Sequence, residues 1–223
     1  MAKGRFGVRD DGTERRALSA AELFDDLGIA YERAFGHLPA QLEAVDWLAA
    51  RLRPGASVLD VGSGTGRPVA DRLSAGGFDV TGIDVSRTMV ELAREQVPGA
   101  RFEHCGVLEY DAPPGTYDAV CAFFPLLVMS RAEVAAALER LAGWVAPGGY
   151  LVTATVPADV EDVEIEWMGS RVRVSSFSAE EYVRRIREEC GLEVLHQAVS
   201  VFQPEDDRAG PEEHVFCYAR RAE

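Results

Sequence analysis

Residues 58–68 bring one acidic residue and three glycines together in a short segment, Val-Leu-Asp-Val-Gly-Ser-Gly-Thr-Gly-Arg-Pro. Asp60 lies near the end of an apolar run, and Gly62, Gly64 and Gly66 follow it. Glycine lets the backbone adopt positive φ angles and come close to a ligand that a Cβ atom would keep away. A strand, a glycine loop and a helix start in this order are typical of a nucleotide-binding turn, although an ordinary glycine-rich turn is the alternative.

A second acidic residue ends the next apolar run. Asp84 follows the run from Phe78 to Ile83, and an acid about twenty residues beyond the glycine loop lies at the tip of the neighbouring strand in a doubly wound sheet. A ribose bound there would present its hydroxyls to this carboxylate, each hydrogen bond contributing about 1.5–3 kcal/mol. Alternatively, Asp84 and Ser86 cap a helix that begins near Arg87.

The glycine spacing favours a nucleoside over a dinucleotide. A dinucleotide site has the pattern Gly-x-Gly-x-x-Gly, whose last glycine lets the helix pack closely. Here the third glycine, Gly66, comes one residue early, and Arg67 occupies the place of the last glycine. Pro68 suits the first turn of the following helix, because its missing N–H would have no partner there.

Three segments resemble those of class I S-adenosylmethionine-dependent methyltransferases of the small-molecule branch. They are Val58–Pro68, Gly82–Ser86 with Met89, and Trp144–Thr155. The resemblance implies S-adenosylmethionine as the cofactor and S-adenosylhomocysteine as its product. Nothing in these motifs identifies the methyl acceptor.

The resemblance also implies which residues bind this cofactor. Asp60 is placed near the ammonium group of the cofactor's amino-acid end, or else accepts hydrogen bonds from loop amides. Asp84 takes the ribose, while Val85 and Met89 pack on the adenine. The complete implied set is Asp60, Gly62, Ser63, Gly64, Asp84, Val85, Met89, Gly106, Val107, Leu108 and Phe123.

One position departs from the family pattern. The third strand of the family ends in an acidic residue that accepts a hydrogen bond from the adenine amino group, and this chain has Gly106 there. The backbone of Val107 and the side chain of Leu108 can still hold the ring, with Glu109 reaching it through water. Phe123 ends the fourth strand, where its ring either faces the sulfonium by a cation–π interaction or packs in the core.

A general base would help to methylate a weakly acidic oxygen or nitrogen, provided that it lies within hydrogen-bond reach of the proton. His37 and Tyr31, on or just after the first predicted helix, are the candidate catalytic residues, although His37 could simply occupy a turn. His196 and His214 lie in late strands, where we expect structural roles.

Charge and cysteine content narrow the class of partner. The 223 residues include 23 Lys and Arg against 37 Asp and Glu, a net charge of −14. This charge repels nucleic-acid backbones and anionic lipid headgroups, so neither a nucleic acid nor a membrane is the expected partner. The four cysteines lack metal-ligand spacing, so no metal is expected. We expect a soluble cytoplasmic protein that acts on a small molecule, with its oligomeric state left open.

Apolar runs alternate with helical patterns from Ser57 onward, which predicts a parallel sheet covered on both faces. The predicted strands are 57–61, 79–83, 101–105, 117–123, 149–156, 192–202 and 213–220, and the helices between and after them are 68–76, 87–97, 131–145 and 178–190. With the resemblance, this pattern predicts an α/β, Rossmann-like fold with a seven-stranded, mostly parallel sheet whose last strand is antiparallel.

Two amphipathic helices are predicted before the sheet, at 20–36 and about 42–52, and they either form a lid over the glycine loop or pack on the sheet. The expected organisation is a flexible tail at 1–17 and a single domain at 18–223. Within that domain we expect N-terminal helices at 18–54, a cofactor-binding core at 55–156, and an acceptor-side segment with the closing strands at 157–223.

Acceptor specificity is expected in the N-terminal helices, the turn after Phe124 and the region from Val156 to Phe177. There, Trp167 and Met168 either line a pocket or anchor the loop to the sheet. The predicted function is methyl transfer to a small organic acceptor, in bacterial secondary metabolism. A cofactor-binding regulator without turnover and a nicotinamide-dependent oxidoreductase are the alternatives.

Overall fold

A computed structural model describes residues 16–223, so most of the predicted tail lies outside the described part. The strands, in chain order, are β1 (Ser57–Val61), β2 (Asp79–Asp84), β3 (Arg101–His104), β4 (Tyr117–Phe123), β5 (Val145–Thr155), β6 (Val163–Trp167), β7 (Ser170–Val174), β8 (Glu193–Phe202) and β9 (Glu212–Arg220). The helices are α1 (Ala20–Leu27), α2 (Ile29–Phe35), α3 (Pro39–Ala49), α4 (Val69–Ala75), α5 (Arg87–Gln96), α6 (Arg131–Trp144) and α7 (Ala179–Arg184), which a π-helical turn continues over Arg185–Glu189.

Seven strands form one sheet in the order β3-β2-β1-β4-β5-β9-β8. Strands β1 to β5 pair in parallel, and β9 runs antiparallel to both of its neighbours, β5 and β8. Successive residues of a strand face opposite sides of the sheet. Accordingly, Leu59 packs in a core with α6 and α7, and Val58 packs in a second core with α3, α4 and α5. The predicted α/β fold, with its mostly parallel sheet and antiparallel last strand, is confirmed.

The glycine loop follows β1 and is hydrogen-bonded to the tip of β2 at the carboxyl edge of the sheet. The backbone N–H groups of Gly62 and Ser63 both donate to the carbonyl of Ile83, over 2.8 and 3.0 Å. Gly62 has a φ of +69°, and a Cβ built on it would lie 2.4 Å from the Cβ of Pro125. The loop therefore passes too close to the segment after β4 for any side chain at position 62.

The first predicted helix is interrupted. Gly28, with φ 47° and ψ −131°, separates α1 from α2, which turns one predicted helix into two. A capping box between Ser19 and Glu22 starts α1.

The start of α4 also differs from its prediction. Pro68 precedes α4 as its N-cap residue instead of occupying its first turn. Single-residue breaks of this kind depend on backbone angles that helical periodicity does not reveal.

A hairpin between β5 and α7 was not predicted. Strands β6 and β7 pair antiparallel, and their turn consists of Met168 and Gly169, both at positive φ, as two-residue hairpins require. Val163, Ile165 and Trp167 alternate with acidic residues, a period-two signal diluted by charge. The hairpin packs against α1 and α2 in a third core of Leu23, Leu27, Ala34, Phe35, Met168, Val172 and Ala209.

None of the helices between residues 16 and 223 combines the length and the apolar character that a bilayer-spanning helix needs.

We expect Gly62→Ala to destabilise the fold more than Gly55→Ala. Both glycines have positive φ, but a Cβ on Gly55 would meet no atom of the described residues within 4 Å. The control should therefore lose only the left-handed backbone term of about 1–2 kcal/mol, and Gly62→Ala an additional 1–3 kcal/mol, roughly, from overpacking against Pro125. Urea unfolding of both variants measures the difference; equal losses would contradict the steric role of position 62.

Candidate active site

Two adjoining cavities lie at the carboxyl edge of the sheet. The first, which we call the glycine-loop cavity, measures about 210 Å³ and lies between the loop after β1, the tip of β2 and the segment after β3. The second, the aromatic cavity, measures about 300 Å³ and lies between α1, α2, the β6–β7 hairpin and β9. Four residues line both cavities: Phe24, Tyr31, Phe124 and Pro125.

Asp84 fixes the glycine loop to the tip of β2. One carboxylate oxygen accepts the N–H of Gly64 over 2.9 Å, and the other accepts the N–H of Ser86 over 2.8 Å. The helix cap of α5 is Ser86 itself, whose hydroxyl accepts the N–H of Met89. Burial raises the pKa of Asp84, and the two backbone N–H donors oppose that rise. Asp84 lines the glycine-loop cavity, so lone pairs that these bonds leave free can face a ligand.

Asp60 is a buried acid, and one of its carboxylate oxygens has no hydrogen bond within the described chain. Its side chain is 2% exposed, and its Oδ2 has no hydrogen-bond partner among residues 16–223, nor does the buried hydroxyl of Ser63. Burial, assisted by the nearby charge of Asp84, raises the pKa of Asp60 to about 7. Asp60 and Ser63 line a small recess that shares Gly62 and Gly64 with the glycine-loop cavity. These unsatisfied acceptors suit a ligand that brings a cation and N–H donors.

The opposite wall of the glycine-loop cavity is largely apolar. Val85 and Met89 line it beside Gly106, Val107 and Leu108. This wall can hold a flat ring, which is the role that the resemblance implies for these residues.

The carboxylate of Glu109 takes the space that a side chain at position 106 would fill. A Cβ on Gly106 would lie 2.1 Å from Glu109 Oε2, and Glu109 lines the cavity. An acidic group is therefore present at this wall although the strand-end acid is missing. Glu109, which was predicted to reach the ring through water, therefore lies at the wall where the ring is expected.

Phe123 and Phe124 end β4 in different ways. Phe123 lines the glycine-loop cavity and is nearly buried. Phe124 has a φ of +65°, a conformation that costs a non-glycine residue about 1–3 kcal/mol, and its N–H donates to the carbonyl of Ala154. This backbone geometry holds the Phe124 ring between the two cavities.

The N-terminal helices are attached to the glycine-loop side by two acidic residues. Asp25 of α1 accepts the Ser86 hydroxyl over 2.6 Å and the Thr88 N–H over 3.0 Å. Glu32 of α2 accepts hydrogen bonds from Thr65 and from Gln96. Both helices also contribute side chains to the cavity walls, so the first predicted helix lies over the site, whereas the second, α3, packs on the sheet.

The two candidate bases differ in position. Tyr31 lines both cavities, and burial together with the charges of Glu212 and Asp84 raises its pKa far above the ordinary value. Tyr31 therefore remains a neutral hydroxyl near pH 7, able to donate a hydrogen bond but not to act as a ready base. His37 is exposed between α2 and α3 and lines neither of the two cavities nor the small recess beside Asp60.

Sequence reasoning missed a polar pair in the aromatic cavity. His214 is 1% exposed, and its Nε2 lies 3.2 Å from Glu212 Oε2. The other oxygen of Glu212 accepts the indole N–H of Trp167 over 2.9 Å. His214 was predicted to be a satisfied structural residue, but its Nδ1 is buried with no partner in the described part of the chain. The spacing of Glu212 and His214 could have indicated this pair, because residues two apart on a strand share a face.

Trp167 and Met168 take different roles within the hairpin. Trp167 lines the aromatic cavity, whereas Met168 is buried in the third core and anchors the turn. The pocket alternative therefore holds for Trp167, whereas Met168 anchors the turn to the core with α1 and α2 and not, as predicted, to the sheet.

Part of the chain matches a known protein family. Residues 58–149 match the model of a methyltransferase domain. Over these residues the match agrees with the resemblance to the class I S-adenosylmethionine-dependent methyltransferases and supports S-adenosylmethionine as the cofactor. This chain is 33% identical to the ribosomal protein L11 methyltransferase of Ralstonia nicotianae over 144 residues, which is 62% of this chain. It spans 44% of the length of that relative.

Solved structures agree on the fold. The Burkholderia thailandensis 1,6-didemethyltoxoflavin-N1-methyltransferase, with 1,6-didemethyltoxoflavin and S-adenosylhomocysteine bound, aligns with a TM-score of 0.67, 20% identity and coverage of 94% of this chain and 93% of its own. The [4+2]-cyclase SpnF aligns with a TM-score of 0.70 and 20% identity over 92% and 98% of the two chains.

The residues at the glycine loop fit the methyl donor. Asp60 Oδ2 and Ser63 Oγ are buried acceptors left over by the protein, and Gly64 leaves the space beside the loop open. When bound, S-adenosylmethionine supplies an electrophilic methyl group on a positively charged sulfur. Two buried carboxylates and the aromatic rings near them favour such a cation.

We expect Asp60→Asn to remove a pH dependence of stability. The folded-state pKa of about 7 exceeds the ordinary value of 3.8, so between these values the folded chain binds a proton that the unfolded chain lacks. Stability of the ligand-free protein should therefore fall as pH rises through this window. Thermal unfolding at pH 5 and pH 8 measures the fall.

Ligand binding supplies the control for this prediction. S-adenosylhomocysteine, whose ammonium needs the ionised carboxylate, should bind wild-type protein more tightly at pH 8 than at pH 5.5, and Asp60→Asn should lose most of that gain. Identical pH profiles for the variant and the wild type would contradict the assignment.

Proposed function

We propose that this protein transfers the methyl group of S-adenosylmethionine to a small organic acceptor held in the aromatic cavity. The observation that carries the proposal is the boundary shared by the two cavities. Phe24, Tyr31, Phe124 and Pro125 line both of them, so ligands in the two cavities would meet at this boundary. Methyl transfer requires this arrangement, because the acceptor atom must approach the methyl carbon in line.

The chain's own residues would act mainly by positioning. Asp60, Ser63 and the loop would hold the amino-acid end of the donor, and Asp84 would hold its ribose. When bound, the donor would supply an electrophilic methyl group, and these residues would fix the direction from which the acceptor atom approaches it. Orientation of this kind can supply an effective concentration of about 10⁵–10⁸ M. The neutral hydroxyl of Tyr31, between the cavities, can orient the acceptor by donating a hydrogen bond.

The shape of the acceptor site supports a small molecule. The aromatic cavity is bounded by α1, α2, the hairpin and β9, and about 300 Å³ of space suits a compact metabolite. The Ralstonia relative is named for methylation of a ribosomal protein, and the toxoflavin relative was solved with a small molecule bound. The proposal keeps the predicted setting, secondary metabolism in the bacterial cytoplasm.

A second candidate is a site that binds the cofactor without transferring its methyl group. The similarity to a chain described as a [4+2]-cyclase favours keeping this candidate, because that name denotes a different reaction on the same fold. Measurement of methyl transfer separates the two functions directly.

The experiment supplies methyl-labelled S-adenosylmethionine together with metabolite extracts and, separately, with protein extracts. We expect label in a small molecule, and Asp84→Asn should weaken binding of the donor at least tenfold, because it removes the charge of the ribose acceptor. Asp79→Asn, at the exposed opposite end of β2, is the matched control. Label found only in protein, or cofactor binding without any transfer, would overturn the proposal.

A further inference from the structure

One carboxylate dominates the charge of the aromatic cavity. Glu212 lines this cavity with a side chain that is 19% exposed, and no lysine or arginine of the described chain lines it with Glu212. The remaining polar lining consists of Tyr31, Gln41, Ser175, Ser176 and His214. A ligand in this cavity therefore meets the negative charge of Glu212. Apart from the imidazole of His214, the lining has no basic side chain that could balance a second negative charge on the ligand.

The two serines in the lining are already engaged. Ser175 Oγ accepts the N–H of Asp162, and Ser176 Oγ accepts the N–H of Ala158, each over 3.0 Å. Among the other polar residues of the lining, Glu212 supplies the carboxylate, and His214 Nδ1 is a buried atom without a hydrogen-bond partner among residues 16–223. We call Glu212 and His214 the β9 pair.

The β9 pair is fixed in place by its neighbours. The indole N–H of Trp167 holds one oxygen of Glu212, and His214 Nε2 holds the other. The His214 ring lies against Phe124, with 4.4 Å between ring centroids. A carboxylate held in this way keeps free lone pairs and can accept one more hydrogen bond at little entropic cost.

The walls beside the β9 pair are aromatic. Tyr31 and Phe35 stack with 5.0 Å between centroids and 25° between planes. Phe35 and Trp167 lie 5.6 Å apart at 34°. Rings at these separations present faces and edges to the cavity, a lining that suits a flat apolar body.

These features act together on the choice of acceptor. A flat molecule with an O–H or N–H group can place its ring against the aromatic walls and donate to the β9 pair. A molecule with a carboxylate would bury a second negative charge beside Glu212, which is unfavourable. A molecule that lacks a donor would leave the buried acceptors unpaired.

We propose that the aromatic cavity selects a compact aromatic acceptor that donates an O–H or N–H hydrogen bond to Glu212 and His214, and that it rejects acceptors carrying a carboxylate. The inference rests on the proposed function, since it assigns the acceptor class for the same reaction. It also makes Glu212 and His214 specificity-determining residues.

The test compares three naphthalenes that share one ring system. They are 2-naphthol, which can donate a hydrogen bond, 2-methoxynaphthalene, which cannot, and 2-naphthoate, which is an anion. Titration calorimetry of the full chain saturated with S-adenosylhomocysteine should show 2-naphthol binding at least tenfold more tightly than either of the others.

Two variants and two matched controls locate the effect. Glu212→Gln should relieve the rejection of 2-naphthoate and improve its binding relative to 2-naphthol at least fivefold. His214→Asn should weaken 2-naphthol, and not 2-methoxynaphthalene. Glu213→Gln, exposed beside Glu212, and His196→Asn, exposed on β8, should change neither preference. Saturable binding of S-adenosylhomocysteine by each variant shows that it is folded.

The outcomes separate this inference from the proposed function. Equal or tighter binding of 2-naphthoate to the wild type, or no binding of any of the three compounds, would overturn the inference, even if labelled methyl transfer to a small molecule were observed. Failure of S-adenosylhomocysteine to bind would instead overturn the proposed function, and the acceptor class would fall with it.

Discussion

The carboxylate of Asp84 is the interaction on which the glycine-loop cavity depends. It accepts N–H groups from Gly64 and from Ser86, so it sets the position of the glycine loop relative to the start of α5. Asp60 is buried near it and lacks a partner for Oδ2 among the described residues. Burial raises the pKa of both acids, and the charge of Asp84 raises that of Asp60 further, so a positively charged donor would relieve unfavourable electrostatic energy at this site. The affinity for such a donor follows from this imbalance.

The aromatic cavity depends on a different constraint, the packing of the β6–β7 hairpin against α1 and α2. These elements lie more than a hundred residues apart in the chain and meet in the third core. Because α1 and α2 are also attached near the glycine loop through Asp25 and Glu32, the same helices position both cavities. A change that loosens them would affect the binding of donor and acceptor together.

The sequence predicted the parts of the site that rest on local patterns. The glycine loop, the alternation of strands and helices after Ser57, and the acid at the tip of β2 follow from spacing and periodicity, which are set by short stretches of chain. The order of the strands in the sheet was not predicted. The break at Gly28 and the β6–β7 hairpin were missed, because one depends on a single pair of backbone angles and the other on a charged, weakly alternating segment. His214 was misjudged for a further reason. Whether a buried imidazole is satisfied depends on partners from distant strands, which spacing along the chain does not show.

A crystal structure of the protein with S-adenosylhomocysteine and 2-naphthol would test the central claim most directly. We predict the ribose on Asp84, the ammonium on Asp60, and the sulfur at the boundary between the cavities, beside Tyr31 and Phe124, with the naphthol oxygen facing it from the aromatic cavity. A sulfur atom that faces away from this boundary, or a naphthol bound outside the aromatic cavity, would contradict the central claim.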